Sequence, residues 1–231
     1  MKAYAIVIEG NEVSEEGYRV LSESFWEVEN EFSLEKFKAI TPSNVNKAMI
    51  KDNIKWNYPW EGEVIDFASG LTKKSYPTKN HEARIACAMS HFSLWKKCVD
   101  TGDAIIILEH DAKFINKIDF LPEDTGYNII GLNNPLMATR KAKLYHDLIK
   151  QNLQPFQRVP FVDDDMKIPQ GLAGNSAYMI KPEGASEMIG LVYKYGMWPN
   201  DAIMCRQLVS GLAVSKKFYT QVQGLRSTTT V

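Results

Sequence analysis

Two patterns of apolar and polar residues alternate along this chain. Short apolar runs, typical of buried strands, are followed by longer segments in which apolar residues recur three and four positions apart, which is typical of helices. The predicted strands cover residues 4–8, 35–40, 105–108, 128–132, a short segment that ends at residue 180, and 214–222. The predicted helices cover residues 14–25, 44–55, 81–100, 182–192 and 202–208. Because strands and helices alternate throughout, the pattern predicts an α/β fold with one mostly parallel central sheet flanked by helices.

The segment from residue 81 to residue 114 is the strongest part of this pattern. Helix 81–100 carries a wide apolar stripe, and Gly102 is placed to end it. The four apolar residues 105–108 then predict a strand that is buried on both faces, as in parallel sheets. Ligands bind at the carboxyl ends of the strands in open α/β sheets, so the residues after 108 are the first candidates for a site.

Glu109, His110 and Asp111 follow this strand directly. Side chains two positions apart on an extended segment point the same way, so Glu109 and Asp111 can converge on one point while His110 turns aside. Two carboxylates at the end of a buried strand suit a hard divalent cation and a phosphate-bearing substrate. The alternative is an N-cap cluster that opens a following helix, where Asp and Glu are also favoured.

The composition narrows the class of protein. The 231 residues are 45% hydrophobic and 24% charged, which is ordinary for a soluble globular protein that buries a core. The net charge of −1 and the lack of a long basic run argue against a nucleic-acid partner. Three widely spaced cysteines favour buried thiols in a reducing compartment. No apolar run is long enough for a transmembrane segment, so we expect a cytoplasmic protein.

Two segments have a less regular pattern. Residues 56–60 are rich in aromatic residues and predict a surface loop whose rings either stack on a sugar or base or pack against the core. Residues 136–169 are polar and weakly periodic and predict a mobile excursion or an acceptor-side loop. The three acids at 163–165 are a rival metal site, although a solvated acidic loop is favoured because no buried strand precedes them.

Several motifs resemble glycosyltransferase family 25, which includes lipooligosaccharide and collagen galactosyltransferases. The helix contains Ala-Cys-Ala-Met-Ser-His, where the family typically shows Gly-Cys-Ala-Leu-Ser-His, and the central strand ends in Leu-Glu-His-Asp, where the family shows Leu-Glu-Asp-Asp. Downstream, residues 174–185 resemble the family's Gly-x-x-Ala-Tyr-x-Ile-x-x-x-Gly-Ala segment, and Pro-Asn-Asp at 199–201 stands where the family shows Pro-Val-Asp. Upstream, residues 4–8 and 37–40 correspond to its opening strand and Ala-Val-Asp-Gly stretch. The resemblance covers residues 1 to about 225 in the right order.

The resemblance implies one GT-A-like nucleotide-sugar-binding domain over residues 1–231. Its donor-binding part is expected at about 1–135, its acceptor-side part at about 136–222, and a polar tail at 223–231. The implied reaction is inverting transfer of a hexose, with UDP-galactose or UDP-glucose as usual donors, to a hydroxyl of a glycan, glycolipid or protein acceptor. The implied cofactor is Mn²⁺ or Mg²⁺. A peripheral membrane association would require a lipid-linked acceptor or a partner protein, because no transmembrane segment is predicted.

The resemblance also gives roles to particular residues. Asp111 is the first candidate for a metal ligand, with Glu109 contacting the metal or the ribose. Asp201 is the candidate base, because inversion needs a group that takes the acceptor's proton; its alternative role is a plain N-cap. The donor-binding candidates are Ile8, Ala39, His91, Glu109, His110, Gly174 and Asn175.

The roles of two candidate residues, and the class of protein, remain open. His91 lies on the apolar face of its helix, so it either hydrogen-bonds the donor or is a satisfied core residue. Gly174 either lets the backbone approach a sugar or only makes a tight turn. Two departures, His110 in place of the middle Asp and Arg84 where many members carry Glu, raise the alternative of a glycan- or nucleotide-sugar-binding module that has lost turnover. A metal-dependent hydrolase is a minor third hypothesis, because four histidines offer few further ligands.

Overall fold

The apolar runs of the sequence form the middle of one large sheet. The computed structural model describes residues 1–137, 141–162 and 165–225, and within them the sheet has seven strands in the order β2-β1-β5-β9-β7-β10-β8. These strands are β1 (Lys2–Val7), β2 (Ser33–Lys38), β5 (Ile105–Glu109), β7 (Ile129–Gly131), β8 (Phe156–Arg158), β9 (Ala177–Ile180) and β10 (Leu212–Ser215). Two small two-stranded sheets pair β3 (Glu63–Asp66) with β4 (Leu71–Lys74) and β6 (Ala112–Phe114) with β11 (Thr220–Val222).

The central sheet is mostly parallel, as predicted. β1 runs parallel to both β2 and β5, and β10 runs parallel to β7. β9 is antiparallel to both of its neighbours, β5 and β7, and β8 is antiparallel to β10 at the edge. β1, β2 and β5 therefore end at the same edge of the sheet, which brings residues 8, 39 and 109 together.

Helices cover both faces of the sheet. They are α1 (Glu12–Glu27), α2 (Val45–Lys51), α3 (His81–Thr101), α4 (Ala142–Gln151), α5 (Pro182–Tyr195) and α6 (Asn200–Ile203), with a short 3₁₀ turn at Pro122–Asp124. Alternate residues of β5 divide between two cores: Ile105 and Ile107 pack with α3 and α5, whereas Ile106 and Leu108 pack with α1. Burial of β5 on both faces explains its unbroken apolar run.

α3 matches its prediction closely. Asn80 caps the helix, since its side-chain oxygen accepts a hydrogen bond from the Ala83 backbone N–H at 3.0 Å. Gly102 ends the helix in the left-handed conformation, with φ of 70°. The chain then enters β5 within three residues. This direct connection fixes where α3 presents its side chains relative to the end of the central strand.

Other element boundaries differ from the predictions. α1 begins at Glu12 and its cap is Asn11, whereas the predicted helix begins at residue 14; the Ser14 hydroxyl accepts a hydrogen bond from the Ile8 N–H at 2.9 Å. α6 ends at Ile203, well before residue 208, because the chain turns back there to make an isolated bridge between Cys205 and Gly171.

Two segments contain structure that was not predicted. Residues 136–169, predicted as an excursion, include α4 and β8, and the α4 residues Tyr145 and Ile149 are buried in the core. Residues 138–140, 163 and 164, which include two of the three acids of the rival metal site, lie outside the described residues. The single strand predicted over 214–222 is two strands, β10 and β11, which belong to different sheets.

The aromatic loop at 56–60 packs on the protein itself. The Trp56 and Trp60 rings are stacked at 4.8 Å, and the Trp60 ring stacks on His81 at 3.9 Å. Tyr58 is buried and donates its hydroxyl to the Lys74 carbonyl at 2.9 Å, which holds the β3–β4 hairpin. The packing role was one of the two alternatives for this loop. Among the described helices, none combines the length and apolarity that crossing a membrane requires.

Candidate functional site

A cavity of about 470 Å³ opens at the edge where β1, β2 and β5 end. Its walls come from these strand ends, from the first turns of α3 and from the segment after β2. Five of the predicted donor-binding residues line it: Ile8, Ala39, His91, Glu109 and His110. The parallel pairing of β1 with β2 and β5 accounts for this gathering, because residues far apart in sequence follow neighbouring strands.

A second, smaller cavity of about 240 Å³ adjoins the first. Gly174, Asn175 and Asp201, the other predicted residues, line this cavity together with Arg84. Cys87, Glu109 and Asp111 line both cavities, so the acidic end of β5 lies at their junction. The structure thus brings all the predicted site residues to two connected spaces.

The acidic strand end does not open a helix. Glu109 is the last residue of β5, residues 110 and 111 make a turn, and the next element is strand β6, so the N-cap interpretation was wrong. His110 is buried against α1, where a Cβ on Gly17 would lie 2.7 Å from the His110 carbonyl oxygen. Gly17 is therefore required for this close approach of α1. Burial lowers the pKa of His110, although Glu109 opposes the effect.

Asp111 has the features expected of a cation ligand. Its Oδ1 atom is buried and has no hydrogen-bond partner among the described residues. Burial, reinforced by the negative charge of Glu109, raises the pKa of Asp111 to about 7. An unpartnered buried carboxylate oxygen beside a second carboxylate costs free energy that a bound divalent cation would recover. The residues present therefore fit the implied metal.

Glu109 is held as an ionised carboxylate. Burial alone would raise its pKa, but a hydrogen bond from His91, with Nε2 to Oε1 at 3.1 Å, outweighs burial and lowers the pKa below its usual value. A side-chain hydrogen bond from Asn200 acts in the same direction. Asn200 stands where the family motif Pro-Val-Asp shows Val, so the resemblance does not predict this contact.

A buried hydrogen-bond chain fixes the proton position on His91. The Trp95 indole N–H donates to the Tyr178 hydroxyl at 2.8 Å, and that hydroxyl lies 2.8 Å from His91 Nδ1. Because the Tyr178 oxygen accepts from Trp95, its own proton is directed at Nδ1, which leaves the His91 proton on Nε2, facing Glu109. Both ring nitrogens of His91 therefore have protein partners, and the residue is among those that line the larger cavity. The contacts are those of a satisfied core residue, and a hydrogen bond from His91 to the donor stays a prediction.

Tyr178→Phe tests this hydrogen-bond chain. Removing the hydroxyl leaves the Trp95 N–H and His91 Nδ1 buried without partners, so we expect a loss of about 2–3 kcal/mol in the free energy of unfolding. We also expect kcat for any transfer to fall about tenfold, since Glu109 loses a donor of fixed orientation. Denaturant unfolding and steady-state kinetics measure the two effects. Tyr219→Phe, which removes one hydroxyl bond to Asp119, is the control and should lose stability without a change in kcat.

Asp201 lies in the first turn of α6 and does not cap it. The cap position is Pro199, which makes no side-chain cap bond, so the alternative N-cap role was wrong. Burial raises the pKa of Asp201, while the nearby Arg84 guanidinium lowers it and Glu109 raises it further. A carboxylate with a raised pKa is a stronger base than an exposed one.

Cys87, one of the three cysteines predicted to be buried thiols, is only partly buried and lines both cavities. Within the described residues, its sulfur, His91 and Glu109 offer ligand atoms that all lie within 4.8 Å of one another. Burial raises the pKa of the Cys87 thiol, with Glu109 and Asp201 adding to the effect, and His91 and Glu109 are already bonded to each other. Because a hard cation prefers oxygen ligands, the carboxylates of Glu109 and Asp111 suit it better than the group of Cys87, His91 and Glu109.

The start of the predicted polar tail is part of the site. The Gln223 backbone N–H donates to the Asp111 carbonyl at 2.8 Å, and its side-chain amide contacts the carbonyls of Gly17, His110 and Ala112. Leu225 lines the larger cavity. Residues 223–225 therefore hold the turn that carries His110 and Asp111, and residues 226–231 lie outside the described part of the chain.

The fold and the site define an α/β protein with an acidic strand end between two ligand-sized cavities. The family model for glycosyltransferase family 25 (LPS biosynthesis protein) matches residues 21–204. This match spans most of the sequence, and the chain therefore belongs to glycosyltransferase family 25. Among solved structures, the chain is similar to the apo crystal structure of mouse xyloside xylosyltransferase 1, with a TM-score of 0.43 and 14% identity over 89% of this chain and 81% of that one. No curated protein matches the sequence.

Proposed function

We propose that this glycosyltransferase moves a hexose, galactose or glucose, from a UDP-sugar to a hydroxyl of a glycan, lipooligosaccharide-type or protein acceptor, with inversion and with a divalent cation. The observation that carries the proposal is the junction of the two cavities at Glu109 and Asp111. A nucleotide sugar has a nucleoside, a diphosphate and a sugar in a row, and the site offers a cavity, an acidic junction and a second cavity in the same order.

The larger cavity suits the nucleoside. Ile8 and Ala39 give it an apolar wall at the ends of β1 and β2, and its volume lies in the range of small-molecule sites. Glu109 and Asp111 would hold Mn²⁺ or Mg²⁺ at the junction. When bound there, the cation would neutralise the charge that develops on the leaving diphosphate.

Asp201 acts on the acceptor side in this proposal. As the acceptor oxygen attacks the anomeric carbon, the bond from that carbon to the diphosphate oxygen breaks, and the acceptor hydroxyl proton passes to the Asp201 carboxylate. One displacement inverts the anomeric configuration and releases UDP. The raised pKa of Asp201 favours this proton transfer, and Asp201 lines the smaller cavity together with Glu109 and Asp111.

Nucleotide release from a panel of nucleotide sugars tests the proposal. We expect release of UDP from UDP-galactose or UDP-glucose in the presence of Mn²⁺ and an acceptor glycan, and at least a 100-fold loss with chelator or in Asp111→Ala. Asp100→Asn, an exposed position at the end of α3, is the matched control and should keep full activity. Metal-independent release of equal rate from the Asp111→Ala protein would contradict the assigned metal site.

Arg84 favours a second candidate function, a nucleotide-sugar-binding module with lost turnover. Its guanidinium lowers the pKa of Asp201 and so works against that residue as a base. Measurable binding of a UDP-sugar with no release of UDP from any donor, over a range of acceptors, would favour this module. We propose a cytoplasmic location for either function, because Cys87, Cys98 and Cys205 are free thiols. Peripheral contact with a membrane would follow from a lipid-linked acceptor.

A further inference from the structure

The segment before β9 places unpartnered polar groups in the smaller cavity. Asn175 is 7% exposed and Ser176 is 5% exposed, and both line this cavity. Neither the amide nitrogen nor the amide oxygen of Asn175 has a hydrogen-bond partner among the described residues, and the same is true of the Ser176 hydroxyl. Buried polar atoms are nearly always paired in folded proteins, so three unpaired atoms side by side indicate a ligand.

The backbone holds this pair next to the acidic junction. The Ser176 carbonyl accepts a hydrogen bond from the Glu109 backbone N–H at 2.8 Å, which joins the segment to the end of β5. Gly174 has φ of 76°, a conformation that most other residues avoid, and it turns the chain into this position. The same strand continues to Tyr178, which is bonded to His91. Backbone contacts thus position this segment beside the acidic junction, and the polar side-chain atoms of both residues are left for a ligand.

We propose that Asn175 and Ser176 bind the hydroxyls of the transferred hexose and so determine which sugar is accepted. The inference rests on the proposed function. An amide donates through its nitrogen and accepts through its oxygen, and a sugar hydroxyl does both, so neighbouring hydroxyls complement one asparagine whichever way the amide is turned. The cavity is lined by Glu109 and Asp111, the proposed metal ligands, and by Asp201, the proposed base, and the sugar of a bound donor lies between its diphosphate and the acceptor.

This arrangement predicts discrimination by missing hydroxyls. The correct substrate supplies a hydroxyl that pairs with the buried polar groups of the site. An analogue without that hydroxyl leaves these groups unpaired, which weakens its binding. Deoxy analogues of the accepted UDP-hexose should therefore bind the native protein more weakly, while UDP alone, which reaches only the larger cavity and the junction, is unaffected by Asn175.

Calorimetric titration tests the inference. UDP and UDP-hexose, each with Mn²⁺, are titrated into the native protein and into the Asn175→Ala and Ser176→Ala variants. We expect Asn175→Ala to weaken UDP-hexose binding and kcat/KM by about 10- to 100-fold and Ser176→Ala by about 3- to 10-fold, with UDP affinity unchanged. The deoxy analogue that lacks the contacted hydroxyl should bind native and Asn175→Ala proteins about equally. Loss of affinity for UDP itself, or a change confined to the acceptor KM, would overturn the assignment.

Thermal unfolding separates this role from a structural one. Since Asn175 has no partner to lose, its replacement by alanine should leave the Tm within about 2 °C of the native value. Asn30→Ala is the matched control: Asn30 is 5% exposed but accepts a hydrogen bond from the Ile118 N–H at 2.9 Å, so it should lower the Tm by about 3–6 °C and leave donor binding intact. If native protein binds no nucleotide, the proposed function fails; if UDP binds and the variants match the native protein, only this inference fails.

Discussion

Asp201→Asn is expected to reduce the kcat of transfer by about 10²- to 10⁴-fold, the usual contribution of a positioned general base. Asparagine keeps the size and polarity of the side chain but cannot take the acceptor's proton. The affinity for UDP should change little, because Asp201 lines only the smaller cavity, whereas UDP is proposed to occupy the larger cavity and the junction. Steady-state kinetics with saturating Mn²⁺ and calorimetric titration of UDP give the two values separately.

The rate of transfer should also depend on pH through the ionisation of Asp201. A base must be deprotonated to act, so activity should fall as the pH drops through the pKa of Asp201, and burial has moved that pKa above its ordinary value. With Mn²⁺ saturating, so that Asp111 stays ionised, the acidic limb of the kcat profile should therefore lie at higher pH than for an exposed aspartate, and it should be absent from the residual activity of Asp201→Asn. Asp100→Asn should show the native profile. Native kcat in Asp201→Asn would mean that another group accepts the proton.

The sequence predicted the place of the site because local patterns and parallel pairing were enough to define it. The apolar run 105–108 could only be a buried strand, and its abrupt end in Glu109 and Asp111 placed charge at a sheet edge. Parallel pairing of β1 with both β2 and β5 then brings Ile8 and Ala39 to the same edge, which requires no information beyond strand direction.

The hydrogen-bond partners within the site could not be predicted in this way. His91 and Tyr178 are 87 positions apart, and their bond depends on α3 lying across an antiparallel strand inserted beside β5. Nothing local marks Tyr178 as a hydrogen-bond donor, since an alternating apolar strand accommodates tyrosine for packing alone. Asn200 likewise acquires its contact with Glu109 only through the docking of α6.

The missed elements have a common cause. α4 has a narrow apolar stripe in a polar segment, and the two residues that it buries, Tyr145 and Ile149, lie four positions apart on one side of the helix. The chain between β10 and β11 includes Phe218 and Tyr219, so apolar residues continue through a turn between two sheets. Tertiary packing, and not local periodicity, decides such boundaries.

Asp111→Asn is expected to stabilise the metal-free protein at pH 8 by about 1–3 kcal/mol, while it abolishes the response to metal. In the folded chain the pKa of Asp111 is raised from 3.8 to about 7, so between these values the native state holds a proton that the unfolded chain has lost. Stability of the native protein therefore falls as the pH rises through this window, and the full penalty is present above it. Asparagine carries no charge at any pH, so the gain over the native protein should grow from pH 4 to pH 7 and then stay constant.

Denaturant unfolding in chelator at pH 4 and pH 8 measures the gain in stability of the metal-free Asp111→Asn protein. The same measurement with Mn²⁺ at pH 8 shows whether the variant still responds to metal. Mn²⁺ should raise the unfolding free energy of the native protein by RT ln(1 + [Mn²⁺]/Kd), because it binds only the folded state, and should leave Asp111→Asn unchanged. Asp100→Asn, which alters an exposed charge on α3, should follow the native protein in every condition.

A variant that is less stable than the native protein at pH 8 in chelator would mean that Asp111 has a stabilising partner. A variant that still gains stability from Mn²⁺ would move the cation to other ligands, with Cys87, His91 and Glu109 as the next group to replace.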